Sequence, residues 1–522
     1  MNNLQAKQKA ITALADIYIN PTSVISYKSA GFVLIVSESI EEALKITEQL
    51  GDKFTPHYLL QNKTGVDKNN TTYGNLITVN GYLGSFEITA MVNNKIENLM
   101  VNKEGKYFDI VIDLVSTINI APVPPFGYYG LNKNGENVEI FAEINQLIGI
   151  LDKPKFFNLD ATLCVHNRNK TELCQRCIDS CPADAISSNG DSVDVNPNLC
   201  HGCGGCSSAC PTGAISYAYP TEEDTSKKLY VLVGSYLKNS GKQVKLLFHT
   251  ADNEALLPEL ESNTLPLAQE EIGSLGLETF LYAFCLGVEN IIVHCTDEPA
   301  QTIQVLHKQI NLTHKLLHSL GYQSQNAFVQ LITDISQALD SDITPLSDTI
   351  GLIELSNKRN RIFAMIDFLY TNKQTQTPLS HCDFSVSDDA YFGEVIINKE
   401  LCTLCMACTS VCPPKALTSG NIDKPIVNFQ ESLCVQCGLC VKSCPEEAMQ
   451  LNSRLIFDNQ QRTSQKILNA DQPFRCVDCG KVFGSNQVIQ KMMEKLKNHS
   501  MFADGKINNL AKCEDCRVKA LF

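Results

Sequence analysis

CTLCMACTSVCPPKAL at 402–417 and CVQCGLCVKSCPEEAM at 434–449 decide how this chain is read. Each runs C-x2-C-x2-C-x3-C-P, through Cys402, Cys405, Cys408 and Cys412 and then Cys434, Cys437, Cys440 and Cys444. The same spacing stands at Cys200, Cys203, Cys206 and Cys210. An altered copy runs Cys164, Cys174, Cys177, Cys181, with nine residues, VHNRNKTEL, between its first two cysteines. Flanking marks show that all four are copies of one unit. LDATLC (159–164), VNPNLC (195–200), INKELC (397–402) and FQESLC (429–434) lead in, and CPADAI (181–186), CPTGAI (210–215), CPPKAL (412–417) and CPEEAM (444–449) lead out. Self-similarity of this kind is read before any local propensity.

The spacing is that of bacterial [4Fe–4S] ferredoxins, in which the fourth cysteine of each run ligates the other cluster of the pair. Thiolates three residues apart on a tight loop reach three irons of one cubane, and small residues such as Gly202, Gly204 and Gly205 let the backbone approach its sulfurs. The proline ends the loop, and the Ala-aliphatic pair after it is expected to start a short covering helix. Crossing the fourth cysteines predicts four clusters. In the first module one lies on Cys164, Cys174, Cys177 and Cys210, the other on Cys200, Cys203, Cys206 and Cys181. In the second, one lies on Cys402, Cys405, Cys408 and Cys444, the other on Cys434, Cys437, Cys440 and Cys412. Cys164 stands where the other copies have their first ligand, so VHNRNKTEL reads as an insertion; the alternative is a [3Fe–4S] cluster or a vacant corner there. Zinc needs only four ligands in two knuckles and does not call for the exchanged Cys-Pro partner.

The 522 residues carry 23 cysteines, no tryptophan and a net charge of −14. That length exceeds one core, and the fold class expected is multidomain α/β plus α+β. MNNLQAKQKAITALADIY has no charged-then-apolar secretory pattern, so a cytoplasmic location is expected, where thiols serve as metal ligands rather than disulfides. The longest apolar run, Phe280–Val288, is too short for a membrane span. The acidic balance, without long Lys/Arg runs, argues against nucleic acid as partner.

Beyond the second module, FRCVDCGK and AKCEDCRV bring Cys476, Cys479, Cys513 and Cys516. Two C-x2-C knuckles predict a zinc ribbon holding one Zn²⁺, with a fifth iron–sulfur cluster as the alternative. Between them NQVIQKMMEKLKNHS reads as an amphipathic helix with Val488, Met492 and Leu496 on one side.

Five units are expected: 1–155, α/β or α+β; 156–222, the first ferredoxin-like module; 223–385, parallel α/β; 386–455, the second module; 470–522, the ribbon-like tail. In 1–155, GFVLIV (31–36), LITV (76–79) and FDIVIDLV (108–115) read as strands, Ile40–Leu50 as a helix, the Asn-Gly at 80–81 as a turn and PVPPFGYYG (122–130) as a loop. In 223–385, YVLVGS (230–235), VKLLFHT (244–250) and IIVHC (291–295) read as strands; helices are expected from Leu275 to Cys285 and from Pro299 to Leu320, each closed by a glycine. VGSYLKNSGK fits no phosphate-binding motif. His307, His314 and His318 share a helix face and read as solvated rather than metal-binding; Cys285, Cys295 and Cys382 read as buried small apolar residues. No catalytic constellation is found.

With these marks in hand, the chain resembles bacterial polyferredoxin-like proteins, whose paired [4Fe–4S] modules flank an α/β segment. LPLAQEEIGSLGLETFLYAFCLGVENIIVHC at 265–295 looks like the delta subunit of methyl-viologen-reducing hydrogenase. PKFFNLDATLC and the CVDCGK/CEDCRV tail look like proteins that accompany cytosolic molybdenum or tungsten formate dehydrogenases. The resemblance implies an electron path to or from a dehydrogenase- or hydrogenase-type partner. A relay without substrate chemistry of its own is the expected function; an iron–sulfur scaffold or assembly factor for a redox enzyme is the alternative.

Overall fold

The computed structural model describes residues 2–63, 70–99, 107–115, 120–131, 138–168, 170–251, 257–258, 260–324, 326–338, 348–353, 357–372, 380–421, 423–502 and 506–519. Of the inserted VHNRNKTEL, Asn169 lies outside them. The chain forms a mixed α/β multidomain structure.

Near the N-terminus, Phe32–Ser37 is the central strand of a five-stranded parallel sheet in the order Thr71–Tyr73, Thr55–Leu60, Phe32–Ser37, Ile110–Asp113, Tyr128–Gly130. The central strands Phe32–Ser37 and Ile110–Asp113 are buried on both faces, which is why GFVLIV is apolar without alternation. Ile40, Ala43 and Ile46 of helix Ile40–Gln49 cover one face together with Phe141 and Ile144. The other face packs on an antiparallel sheet of Asn75–Asn80, Glu87–Val92 and Lys95–Leu99. The first helix, Asn3–Ala15, packs elsewhere, its Ala6 and Ala10 joining the core of the second parallel sheet.

That second sheet runs Thr264–Gln269, Lys245–Thr250, Asn290–His294, Val329–Ile332, all parallel. YVLVGS, expected as a strand, lies inside helix Glu222–Lys238. Its aromatic and β-branched content favours a strand, but a capping box between Thr221 and Asp224 fixes the helix start. Leu229, Leu232, Val233 and Tyr236 then recur at helical spacing and are buried in the sheet's core. Helices Leu277–Cys285 and Ala300–Ser319 stand where expected.

Each cysteine module is a pair of antiparallel ribbons. In the first, Phe157–Leu159 pairs with Ile215–Tyr217 and Ile186–Asn189 with Ser192–Val195. In the second, Gly393–Ile397 pairs with Met449–Ile456 and Leu417–Ser419 with Ile426–Gln430. The Ala-aliphatic pair after each Cys-Pro was expected to open a helix, and instead it leads into a strand. The short helix precedes the Cys-Pro, as in Gly205–Ala209 and Leu439–Lys442. Proline has no N–H to continue the turn, and in two copies the alanine N–H is spent on the cysteine sulfur.

Candidate metal centres

Cys200, Cys203 and Cys206 line one cavity with Cys181, the fourth cysteine of the preceding copy. Phe156, Phe157, Ile186 and Tyr217 close its walls. The loop turns inward at Gly202 and Gly204, with φ of 90° and 79°. A Cβ at either would lie 2.6 Å from the Phe156 ring or 2.5 Å from the Ser274 amide nitrogen, so no larger residue fits. Burial pushes the Cys203 thiol up to about 11, with Cys181 and Cys200 adding to the effect. Cys206 is raised by burial and then by Cys203, Cys200 and Cys181.

Cys164 and Cys210 pack against each other beside Ala214. Burial raises Cys174 to about 11, with Cys210 and Cys164 contributing, and Cys177 is raised by burial and by Cys210, Cys174 and Cys164. The insertion that displaces Cys164 in the sequence is a small hairpin, Asn167–Arg168 against Thr171–Glu172. Its base is closed where the Leu173 N–H donates to the His166 carbonyl at 3.0 Å and buried His166 Nδ1 donates to the Cys174 carbonyl at 2.8 Å. The loop therefore leaves and returns at the same place, bringing Cys164 and Cys174 together.

In the second module, burial pushes Cys408 up to about 12, with Cys402, Cys405 and Cys444 next. Cys440 is raised by burial and by Cys434, Cys437 and Cys412. Cys437 goes up to about 12 through burial, then Cys434, Cys412 and, from the other module, Cys174. One crossed set, Cys181 with Cys200, Cys203 and Cys206, thus lines a common cavity.

The second mark of the repeat acquires a reason here. The Ala185 N–H donates to Cys181 Sγ at 3.3 Å and the Ala448 N–H to Cys444 Sγ at 3.3 Å; in the third copy Leu417 takes this role towards Cys412 at 3.5 Å. Buried thiols, amides aimed at sulfur and an apolar cavity with four sulfurs on its wall fit a thiolate-bound iron–sulfur cage. Burying a thiolate without a cation is unfavourable, and the irons of a cluster held by these cysteines would supply that cation.

The tail differs in scale. Cys476, Cys479, Cys513 and Cys516 have their sulfurs within 4.8 Å of one another, with Cys479 and Cys513 at 3.6 Å. That is the edge of a tetrahedron around a single ion with metal–sulfur bonds of about 2.3 Å, and too tight for a cubane. Among the described residues no other group of three or more His, Cys, Asp or Glu side chains converges on a single-ion site. Burial opposes ionisation of Cys476, but N–H groups of Cys513, Cys479 and Asp478 aimed at its sulfur lower it to about 6. The helix between the knuckles is Asn486–Leu496, and Ile489 is its buried residue while Met492 is 39% exposed. The inward side is therefore turned by one position from the expected Val488, Met492 and Leu496. The tail leans on the second module through Ser485 Oγ, which donates to the Thr403 carbonyl at 2.9 Å.

Of the three helix histidines expected on a solvated face, His314 departs by packing inward. His314 Nε2 accepts from the Val329 N–H at 3.0 Å and its ring packs on Phe328, so of the three histidines His307 and His318 alone are exposed. Cys285, Cys295 and Cys382 are buried. No described helix is long and apolar enough to cross a membrane. Lys358 and Arg359, which reach both modules, went unmarked in the sequence because, Glu278 apart, their hydrogen-bond partners are backbone carbonyls.

The LdpA Fe-S cluster-binding domain model matches residues 171–219, and the 4Fe-4S dicluster domain model matches residues 401–448. An uncharacterized ferredoxin of Methanocaldococcus jannaschii is 38% identical over 58 residues, which is 11% of this chain and 86% of that protein. A ferredoxin of Streptomyces griseus is 36% identical over 61 residues, 12% of this chain and 53% of that protein. Hydrogenase-4 component A of Escherichia coli is 48% identical over 40 residues, 8% of this chain and 20% of that protein. The chain thus spans a fifth of the hydrogenase component and about half of the Streptomyces ferredoxin.

Proposed function

The chain belongs to the ferredoxin family of [4Fe–4S] proteins, and on that premise we propose that it is an electron carrier with four such clusters, without a substrate site of its own. The observation that carries this reading is the presence of Cys181 on the wall of the cavity lined by Cys200, Cys203 and Cys206. An exchanged fourth ligand is the mark of a two-cluster module. A bound [4Fe–4S] cluster supplies reversible one-electron transfer, at a potential its surroundings set between roughly −700 and +450 mV.

The protein's part is to hold, cover and tune. The four crossed cysteine sets supply the thiolates. Phe156, Phe157 and Tyr217 keep water from one set, and low exposure strengthens every N–H aimed at sulfur. The amides of Ala185 and Ala448 favour the more negative, reduced state. The tail cysteines hold one Zn²⁺ that fixes the tail on the second module.

The partner is a hydrogenase- or formate dehydrogenase-type oxidoreductase. The likeness to hydrogenase-4 component A supports the first, and the resemblance of PKFFNLDATLC and the tail supports the second. Iron, sulfide and zinc analysis of anaerobically purified protein is expected to give about sixteen irons and one zinc per chain. Reduction by the partner at catalytic rates is expected of a carrier; reduction far slower than turnover would instead indicate an assembly factor.

A further inference from the structure

Helix Lys358–Thr371 begins with two cationic side chains that are almost completely buried, Lys358 at 6% and Arg359 at 7% exposure. Burial of two neighbouring cations is costly unless each is fully hydrogen-bonded. They turn to opposite modules. Lys358 Nζ donates to the carbonyls of Ser207 and Ser208 at 2.9 and 3.0 Å and pairs with Glu278 at 3.1 Å. Those serines lie in helix Gly205–Ala209, between Cys206 of one thiol set and Cys210 of the other. Arg359 donates through Nη2 to the carbonyls of Ser432 and Cys434, both at 2.9 Å, and through Nη1 to that of Tyr391 at 3.1 Å.

Two further contacts close the same seam. Arg176, between Cys174 and Cys177, pairs with Asp389 at 2.7 Å, just before the first strand of the second module. The Leu173 side chain lies against Gly438, 3.6 Å from where that residue's Cβ would be. Leu173 precedes Cys174 and Gly438 follows Cys437, so the modules meet at these two cysteines.

We infer that Lys358 and Arg359 form a two-headed clamp that holds the modules face to face, making Cys174 and Cys437 the crossing point for electrons between them. This rests on the ferredoxin reading. It orders the four thiol sets in one line, from Cys181/200/203/206 to Cys164/174/177/210, across to Cys412/434/437/440, and on to Cys402/405/408/444. An electron crossing at the seam oxidises one side by one unit and reduces the other by one; no bond changes and no proton moves. Arginine suits the second head because its planar fork meets several carbonyls at once.

The test uses the full-length chain with Cys200→Ala, Cys203→Ala, Cys402→Ala and Cys405→Ala, which leaves only the two inner thiol sets. Fully reduced, it is expected to give a low-temperature EPR signal split by spin–spin interaction. Adding Arg359→Gln or Leu173→Asp is expected to abolish the splitting while iron and sulfide stay unchanged. A loaded chain with an unsplit signal, or a splitting that survives both substitutions, overturns the crossing alone. An iron-free unaltered chain overturns the ferredoxin reading and the crossing with it. Amide exchange of the otherwise unaltered chain decides independently of the cysteine substitutions: Arg359→Gln is expected to speed exchange in both 205–210 and 432–438, and unchanged exchange in either segment overturns the clamp.

Discussion

The backbone N–H of Ala448 donates to the sulfur of Cys444 at 3.3 Å, and the same pair recurs in the first module as Ala185 and Cys181. A donor at sulfur favours the added electron, so Ala448→Pro, which removes it, is expected to lower the potential of the centre on Cys402, Cys405, Cys408 and Cys444. The expected shift is about 60 mV, a tenfold change in a one-electron equilibrium. A redox titration followed by EPR reads it, with Ala448→Gly, which keeps the N–H, expected to stay near the unaltered value.

Cys164 is tied to Cys174 by the hairpin base at His166 and Leu173. Cys164→Ala is expected to cost about a quarter of the iron at most, through loss or opening of one cluster of four. Iron content at the unaltered level with an unchanged EPR spectrum would remove Cys164 from the ligand set. Loss of all iron would show that the hairpin matters to folding as a whole.

Glu222 lies beside Glu278, with Thr279 Oγ1 donating to it at 3.2 Å. Burial, and then Glu278, push its carboxyl from 4.5 up to about 8. A raised acid binds its proton more tightly in the folded state, so its contribution to stability is fully present below about pH 4.5 and is lost as pH rises through about 8. Tm measured across this range is expected to fall with pH, and Glu222→Gln is expected to flatten the slope. An unaltered slope in that variant would contradict the assignment.

The tail site is expected to release one zinc on Cys513→Ser without loss of module iron. Hydrogen exchange over 473–519 should then rise towards that of an unfolded segment, because the hairpin Pro473–Arg475/Val482–Ser485 and its helix have few buried side chains apart from Ile489. Metal analysis that finds iron in place of zinc there would refute the ribbon as a purely structural element.

The candidate sites were legible in the sequence where bonding geometry dictates residue spacing. Thiols that share one cage must recur at fixed intervals, so the cysteine sets show in one dimension, and even the displaced Cys164 kept its lead-in mark LDATLC. What was lost depends on the third dimension. YVLVGS has strand-like residues but lies in a helix because Thr221 and Asp224 cap its start, a mark that TEED at 221–224 does carry. The buried side of Asn486–Leu496 turned by one position because the tail's own fold chose Ile489. Lys358 and Arg359 bind carbonyls 32 to 151 residues away, and a carbonyl leaves no trace of its partner in the sequence.

Coulometric reduction of the anaerobically purified full-length chain tests the carrier most directly. About four electrons per chain, each taken up reversibly with bleaching of the brown colour, are expected from four one-electron centres. A chain that carries its full iron yet accepts no electron reversibly would contradict it.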